Sequence, residues 1–131
     1  MELREISVAA LAYLGDSVIE LCVRRHLVER GLSTSAHLNE AALSFVRAGA
    51  QAEAMKRLIP HLSEEEDRYF RRGRNMGHSS VPKRATVSEY RAATGWEAVL
   101  GMLTYTEQYD RAEALLALAL TEQEKTNDSE D

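Results

Sequence analysis

The stretch Leu11-Ala12-Tyr13-Leu14-Gly15-Asp16-Ser17-Val18 decides how this chain is read. It is an apolar, alanine-rich helical pattern interrupted by a carboxylate beside a glycine. Burying an unpaired carboxylate is expensive, so a charge here needs a cation, a strong hydrogen-bond set or a wet cleft. A second acid in the same kind of setting stands at Trp96-Glu97-Ala98-Val99-Leu100-Gly101. Two acids on separate hydrophobic helices predict a divalent-metal site between those helices.

Working outward, Ser7 is a good N-cap and Gly31 a good C′ residue, so the first helix is expected from about Ser7 to Arg30. Leu11, Leu14, Val18, Leu21 and Arg25 follow helical spacing and form its expected apolar stripe, with the stem of Arg25 at the edge. Ser33-Thr34-Ser35 is a polar break. The next helix is expected over about 36–58, bent near Gly49, with Leu38, Ala42, Phe45, Val46, Ala50, Ala54 and Leu58 on one face and Pro60 ending it. Ser63-Glu64-Glu65-Glu66 is a capping box with acids in the first turn, opening a helix that reaches about Asn75. Residues 76–87 read as a loop. A long helix follows from Ser88 or Glu89 to about Thr106, and a last one from Asp110 to Glu124. No period-2 alternation bounded by hairpin turns occurs, and there are no internal repeats. The expected class is all-α with no sheet, built from about five to seven helices.

The 131 residues make one domain the simplest reading. No apolar run approaches the ~18–20 residues of a membrane span. No secretory signal pattern is visible. The single cysteine, Cys22, excludes an intrachain disulfide and fits a reducing cytoplasm. The net charge of −5 argues at first against nucleic acid, but it is unevenly spread. Residues 121–131 hold five acids against Lys125, which accounts for −4 of it. That segment is expected as an acidic, disordered tail after a domain spanning 1–120. Residues 68–84 contain Arg68, Arg71, Arg72, Arg74, Lys83 and Arg84 and no acid, a net charge of +6. Charge location therefore says more than the total.

Taken in order, Leu14-Gly15-Asp16-Ser17-Val18, Arg72-Gly73-Arg74-Asn75, Pro82-Lys83, Tyr90-Arg91-x-x-Thr94 and Glu97-Ala98-Val99-Leu100-Gly101 resemble the ribonuclease III family over residues 5–120. The likeness is nearest to its bacterial Mini form, the catalytic domain alone. The resemblance implies a Mg²⁺-dependent endoribonuclease that hydrolyses double-stranded RNA to 5′-phosphate and 3′-hydroxyl ends. Asp16 and Glu97 match the acids that bind metal and catalyse. The precursor of 23S ribosomal RNA is the implied substrate, with a large-subunit ribosomal protein assisting. The eleven residues after 120 are too few for the RNA-binding domain that ends larger members. Larger members also carry acids where Ala12 and Thr94 stand here, so this chain has half of their carboxylates. Glu20, one turn beyond Asp16, is a possible outer-shell acid, although pairing with Arg24 at i+4 is the plainer role. Tyr13 matches an aromatic that enters a partner subunit, which implies a homodimer with two active centres across one duplex.

The basic segment supplies the RNA contacts on this reading. Arg71, Arg72, Arg74, Lys83 and Arg84 are expected to bind phosphates, which give affinity without sequence readout. Asn75, and Ser79 or Ser80, could reach 2′-hydroxyls. His78 is read as a loop residue near phosphate, and His26, His37 and His61 show no ligand pattern. Ser17 has no histidine at a recognisable spacing, which argues against a serine hydrolase. The rival readings are a catalytically silent relative that binds structured RNA during ribosome assembly, and a helical protein-interaction domain.

Overall fold

In the computed structural model residues 1–76 and 85–130 are described, with side chains as far as Thr121. Among the described residues there are six helices: α1 (Val8–Glu29), α2 (Ser35–Val46), α3 (Ala48–Leu58), α4 (Glu64–Arg74), α5 (Val87–Tyr105) and α6 (Tyr109–Glu130). Short 3₁₀ turns cover Leu3–Glu5 and Ile59–His61. No strand occurs among the described residues.

The expected helix signals operate at atomic level. Ser7 Oγ accepts from Ala10 N at 3.1 Å at the start of α1. Gly31 follows the end of α1 with a φ of +90°, a conformation that costs glycine nothing and L side chains about 1 kcal/mol or more. Ser63 and Glu66 close their capping box, Ser63 N donating to Glu66 Oε1 at 2.9 Å and Glu66 N to Ser63 Oγ at 3.1 Å.

Four expectations need correction. The helix expected over 36–58 is two helices, because Arg47 adopts extended backbone with ψ 146° and ends α2 while opening α3. The bend lets α2 lie on α1 while α3 lies on α5. Second, α5 starts earlier than Ser88: Thr86 is its N-cap, and Thr86 N donates to Glu89 Oε1 at 2.9 Å. Third, α6 continues beyond Glu124 to Glu130. The run is rich in Glu, Gln and Lys, which favour helix.

The fourth correction concerns α1. Its buried residues are Leu11, Ala12, Gly15, Ile19, Val23 and Leu27, and Leu21 is 71% exposed. The buried face is therefore rotated from the Leu11–Leu14–Val18–Leu21–Arg25 stripe. Local hydrophobicity favoured the larger side chains, but α5 packs where α1 is narrowest. α5 is the central helix, in contact with α1, α3, α4 and α6, and Trp96, Ala98, Val99, Leu100, Met102 and Leu103 are all buried.

Away from α5, α6 is tied to the start of α4. Arg111 grips the buried Glu66 carboxylate with Nε to Oε2 at 2.8 Å and Nη2 to Oε1 at 2.9 Å. The same Nη2 donates to the His61 carbonyl at 2.7 Å. The Arg111 hydrogen bonds, with help from Ser63, hold the Glu66 carboxyl below the usual glutamate range against the opposing effect of burial.

Candidate active site

The acids come together where α1 crosses α5. Gly15 and Gly101 make that crossing close. A Cβ on Gly15 would overlap the Glu97 carbonyl, lying 2.7 Å from its carbon. One on Gly101 would overlap the Leu11 carbonyl, lying 2.6 Å from its carbon. Asp16 follows Gly15 in sequence and is exposed, while Glu97 is half-buried among the core residues Trp96 and Ala98. Across the seam the two carboxyl groups lie close enough for the Asp16 carboxylate to act on Glu97.

Burial first, then the Asp16 charge and the hydrogen bond to it, push the Glu97 carboxyl up to about 8. No cation among the described residues opposes the shift. A like-charged pair cannot hold both charges in such a setting unless a positive ion joins it. The donor set fits Mg²⁺, which takes one or two carboxylates and fills its octahedron with water and substrate oxygens. Among the described residues no group of three or more His, Cys, Asp and Glu could hold a metal, so the site is sparse. Ala12 and Thr94, where larger relatives were expected to carry acids, are both buried. The Thr94 hydroxyl is used within its own helix, donating to the Tyr90 carbonyl at 3.0 Å.

The surrounding residues fall into place around this pair. Glu20 is ion-paired with Arg24 at 3.4 Å, the i+4 partnership its spacing allowed. Ser17 Oγ donates to the Leu14 carbonyl at 2.7 Å, a helix-local bond with no base beside it. Tyr13, one turn before Asp16, is 85% exposed, unusual for a large aromatic side chain.

The basic residues ride on α4. Gly73 packs against α5, and a Cβ there would lie 2.8 Å from Gly95 Cα and 3.0 Å from Ala98 Cβ. The helix bearing the arginines is thus docked on the part of α5 that bears Glu97. Arg71 pairs with Asp67 at 2.9 Å. The Arg72 guanidinium lies over the Tyr69 ring at 5.1 Å and that of Arg74 over Phe70 at 5.6 Å. Arg74 Nε also donates to Asn75 Oδ1 at 3.4 Å, and Asn75 caps α4. Arg74 and Asn75 border an open cavity of about 750 Å³ whose wall also includes Lys56 and Arg91. Those two cations had not been singled out. Arg91 stood within the quoted Tyr90-Arg91 motif, but Lys56, on α3, had no local signal. Lys83 and Arg84 lie outside the described residues, as do His78, Ser79 and Ser80. Among the described residues no direct bond links the arginines of α4 to the acid pair.

Comparison with known proteins shows the family. The Ribonuclease III domain family matches residues 9–108, which include both acids. A Mini-ribonuclease 3 of Symbiobacterium thermophilum is 43% identical over 109 residues, covering 83% of this chain and 84% of the relative. One of Enterococcus faecalis is 35% identical over 127 residues, covering 95% of this chain and 96% of the relative. A crystal structure of a protein from Fusobacterium nucleatum superposes with a TM-score of 0.82 at 28% identity, covering 91% of this chain and 95% of that one. With the match running through both acid-bearing helices and the fold shared, this chain belongs to the ribonuclease III family.

Proposed function

We infer that this protein is an endoribonuclease that cuts double-stranded RNA, with Asp16 and Glu97 as the residues that would hold Mg²⁺. The observation that carries the reading is the backbone contact of Gly15 with Glu97, which sets the Asp16 and Glu97 carboxyl groups against each other across the α1–α5 seam with no described cation to balance them. The relatives from Symbiobacterium thermophilum and Enterococcus faecalis are named as ribonucleases, which supports the same reading. When bound, a divalent cation supplies charge neutralisation and Lewis acidity for phosphodiester hydrolysis.

The chain's own residues provide the rest. Glu97 would hold the cation as its carboxylate. Asp16, the exposed member, offers its oxygens on the side open to RNA. The arginines of α4 take phosphates, and their stacking on Tyr69 and Phe70 limits their freedom before RNA binds. Tyr13 offers an exposed ring next to the site for a second copy of the chain. Such pairing would set two acid pairs along one duplex. Precursor ribosomal RNA of the large subunit is the substrate this reading favours, with a large-subunit ribosomal protein as helper. Among the described residues no helix is long and apolar enough to cross a membrane.

The test is incubation with a long RNA duplex, with Mg²⁺ or with chelator, alongside Asp16→Asn. Cleavage is expected from the wild type with Mg²⁺ alone, and Asp16→Asn should bind the duplex without cutting it. Cutting by Asp16→Asn at the wild-type rate would remove the role given to that residue. A wild type that binds and never cuts is the silent RNA-binding module instead. Arg74→Ala should weaken duplex binding and lower the slope of log K against log salt by about one unit. An unchanged slope means that Arg74 touches no phosphate.

A further inference from the structure

The acids meet at a place where two helices touch through bare backbone, and the geometry of that contact is unusually constrained. Gly15 precedes Asp16 and presses on the carbonyl of Glu97 itself. Gly101 lies one turn after Glu97 and presses on the carbonyl of Leu11, one turn before Gly15. Each helix thus contributes one glycine and one carbonyl, and the two contact points are one turn apart, about 6 Å. Two such points fix both the separation and the relative angle of the helices. At Gly49 the nearest atom to a new Cβ would be Glu89 Oε2, the end of a side chain that can rotate away. At Gly15 and Gly101 the obstructing atoms are backbone, so a methyl group could be admitted only by moving a helix.

We propose that Gly15 and Gly101 are positioning residues that set the gap between Asp16 and Glu97 to the span of one cation. This rests on the reading of Asp16 and Glu97 as the metal-holding pair. Aspartate has a single methylene between backbone and carboxylate, so its oxygens cannot follow a retreating helix. An added methyl on either glycine requires a helix displacement of roughly 1 Å or more to restore ordinary contact distance. A displacement of that size is enough to spoil a reactive geometry.

The test uses Mn²⁺ alone as the probe, its free concentration read by electron paramagnetic resonance, together with the Mg²⁺ dependence of duplex cleavage. Gly15→Ala and Gly101→Ala should each weaken Mn²⁺ binding about 10–100-fold, the range typical of residues that orient metal ligands. Arg111→Ala, remote from the seam, supplies the control for lost stability and should keep wild-type Mn²⁺ affinity. The decisive variant is Asp16→Glu. Residue 16 is exposed, so this change should leave folding intact. In the wild-type background the longer side chain should overfill the gap and lower Mn²⁺ affinity by about 10-fold or more. Combined with Gly101→Ala it should raise affinity above that of Gly101→Ala alone. Equal Mn²⁺ binding by wild type and both alanine variants overturns the spacer. So does Asp16→Glu binding like wild type, and so do alanine variants that fail to fold while Asp16→Glu is neutral. If Asp16→Asn binds Mn²⁺ as wild type does, the metal-pair reading itself fails, and the spacer with it.

Discussion

Glu97→Gln should abolish duplex cleavage and, in chelator, make the protein more stable at alkaline pH. The loss of activity is expected at roughly 10³-fold or more, equivalent to about 4 kcal/mol of the stabilisation a bound cation supplies. The gain in stability follows from the sign of the Glu97 shift. Its carboxyl titrates near 4.5 in the unfolded chain and is pushed up to about 8 in the folded one. Below the lower value both states hold the proton and folding loses nothing. Between the two values the folded state must keep a proton that the unfolded chain releases, so stability falls as pH rises. The fall is complete at about 8, and amounts to a few kcal/mol on the linkage relation. Glutamine carries no charge at any pH, and its amide can donate to Asp16 as the protonated acid does. Urea denaturation at pH 5 and pH 8 in chelator measures this. The wild type should lose stability between the two, and Glu97→Gln should lose much less. Equal pH slopes would mean that Glu97 is not held protonated by burial and Asp16. Added Mg²⁺ should stabilise the wild type at pH 8 and leave Glu97→Gln nearly unchanged.

Arg111→Ala should be the most destabilising single change outside the core. It removes both guanidinium bonds to Glu66 and the donor to the His61 carbonyl, leaving a carboxylate whose side chain is only 5% exposed. An uncompensated buried charge costs about 3–5 kcal/mol; the partial exposure of Arg111 places the expected value near the lower end. That corresponds to a fall in Tm of roughly 10 °C for a chain of this length. The pH behaviour is opposite in sign to that of Glu97. Because the Glu66 carboxyl is depressed, its contribution is present above its unfolded value of 4.5 and lost as pH falls through the lower folded value. The wild type should therefore lose this contribution in acid, and Arg111→Ala should show a shallower acid transition. Glu66→Gln combined with Arg111→Met should cost less than Arg111→Ala alone, since no charge is stranded. Thermal and urea unfolding followed by circular dichroism decide between these outcomes.

The parts of the structure that were legible in sequence are those set by neighbours along the chain. Ser7, Gly31 and the Ser63–Glu66 box act within three or four residues, so their roles could be read directly. The Thr86–Glu89 box obeys the same rule, but its cap residue stands at the end of the 76–87 stretch, whose composition reads as loop. Glu66 shows where local reading stops. Its capping bond to Ser63 is visible in sequence, whereas its pairing with Arg111, 45 residues away, is not. The candidate site divides in the same way. Asp16 and Glu97 stood out as acids in apolar settings, and Arg74 and Asn75 as part of a basic run. Lys56 and Arg91 join the wall of the same cavity only through packing of α3 and α5.

By itself the sequence determined an all-helical chain, its caps, its uneven charge and the two acids, because each follows from residue type and spacing along one strand of backbone. Tertiary structure alone decided which face of α1 is buried, since glycine is invisible to a hydrophobic count but permits the nearest approach of another helix. It also decided that helix 36–58 breaks at Arg47, and that residues 16 and 97 meet closely enough for one carboxyl to hold its proton near neutrality. The energies of burial and charge repulsion depend on distance through space, and sequence separation does not encode that distance.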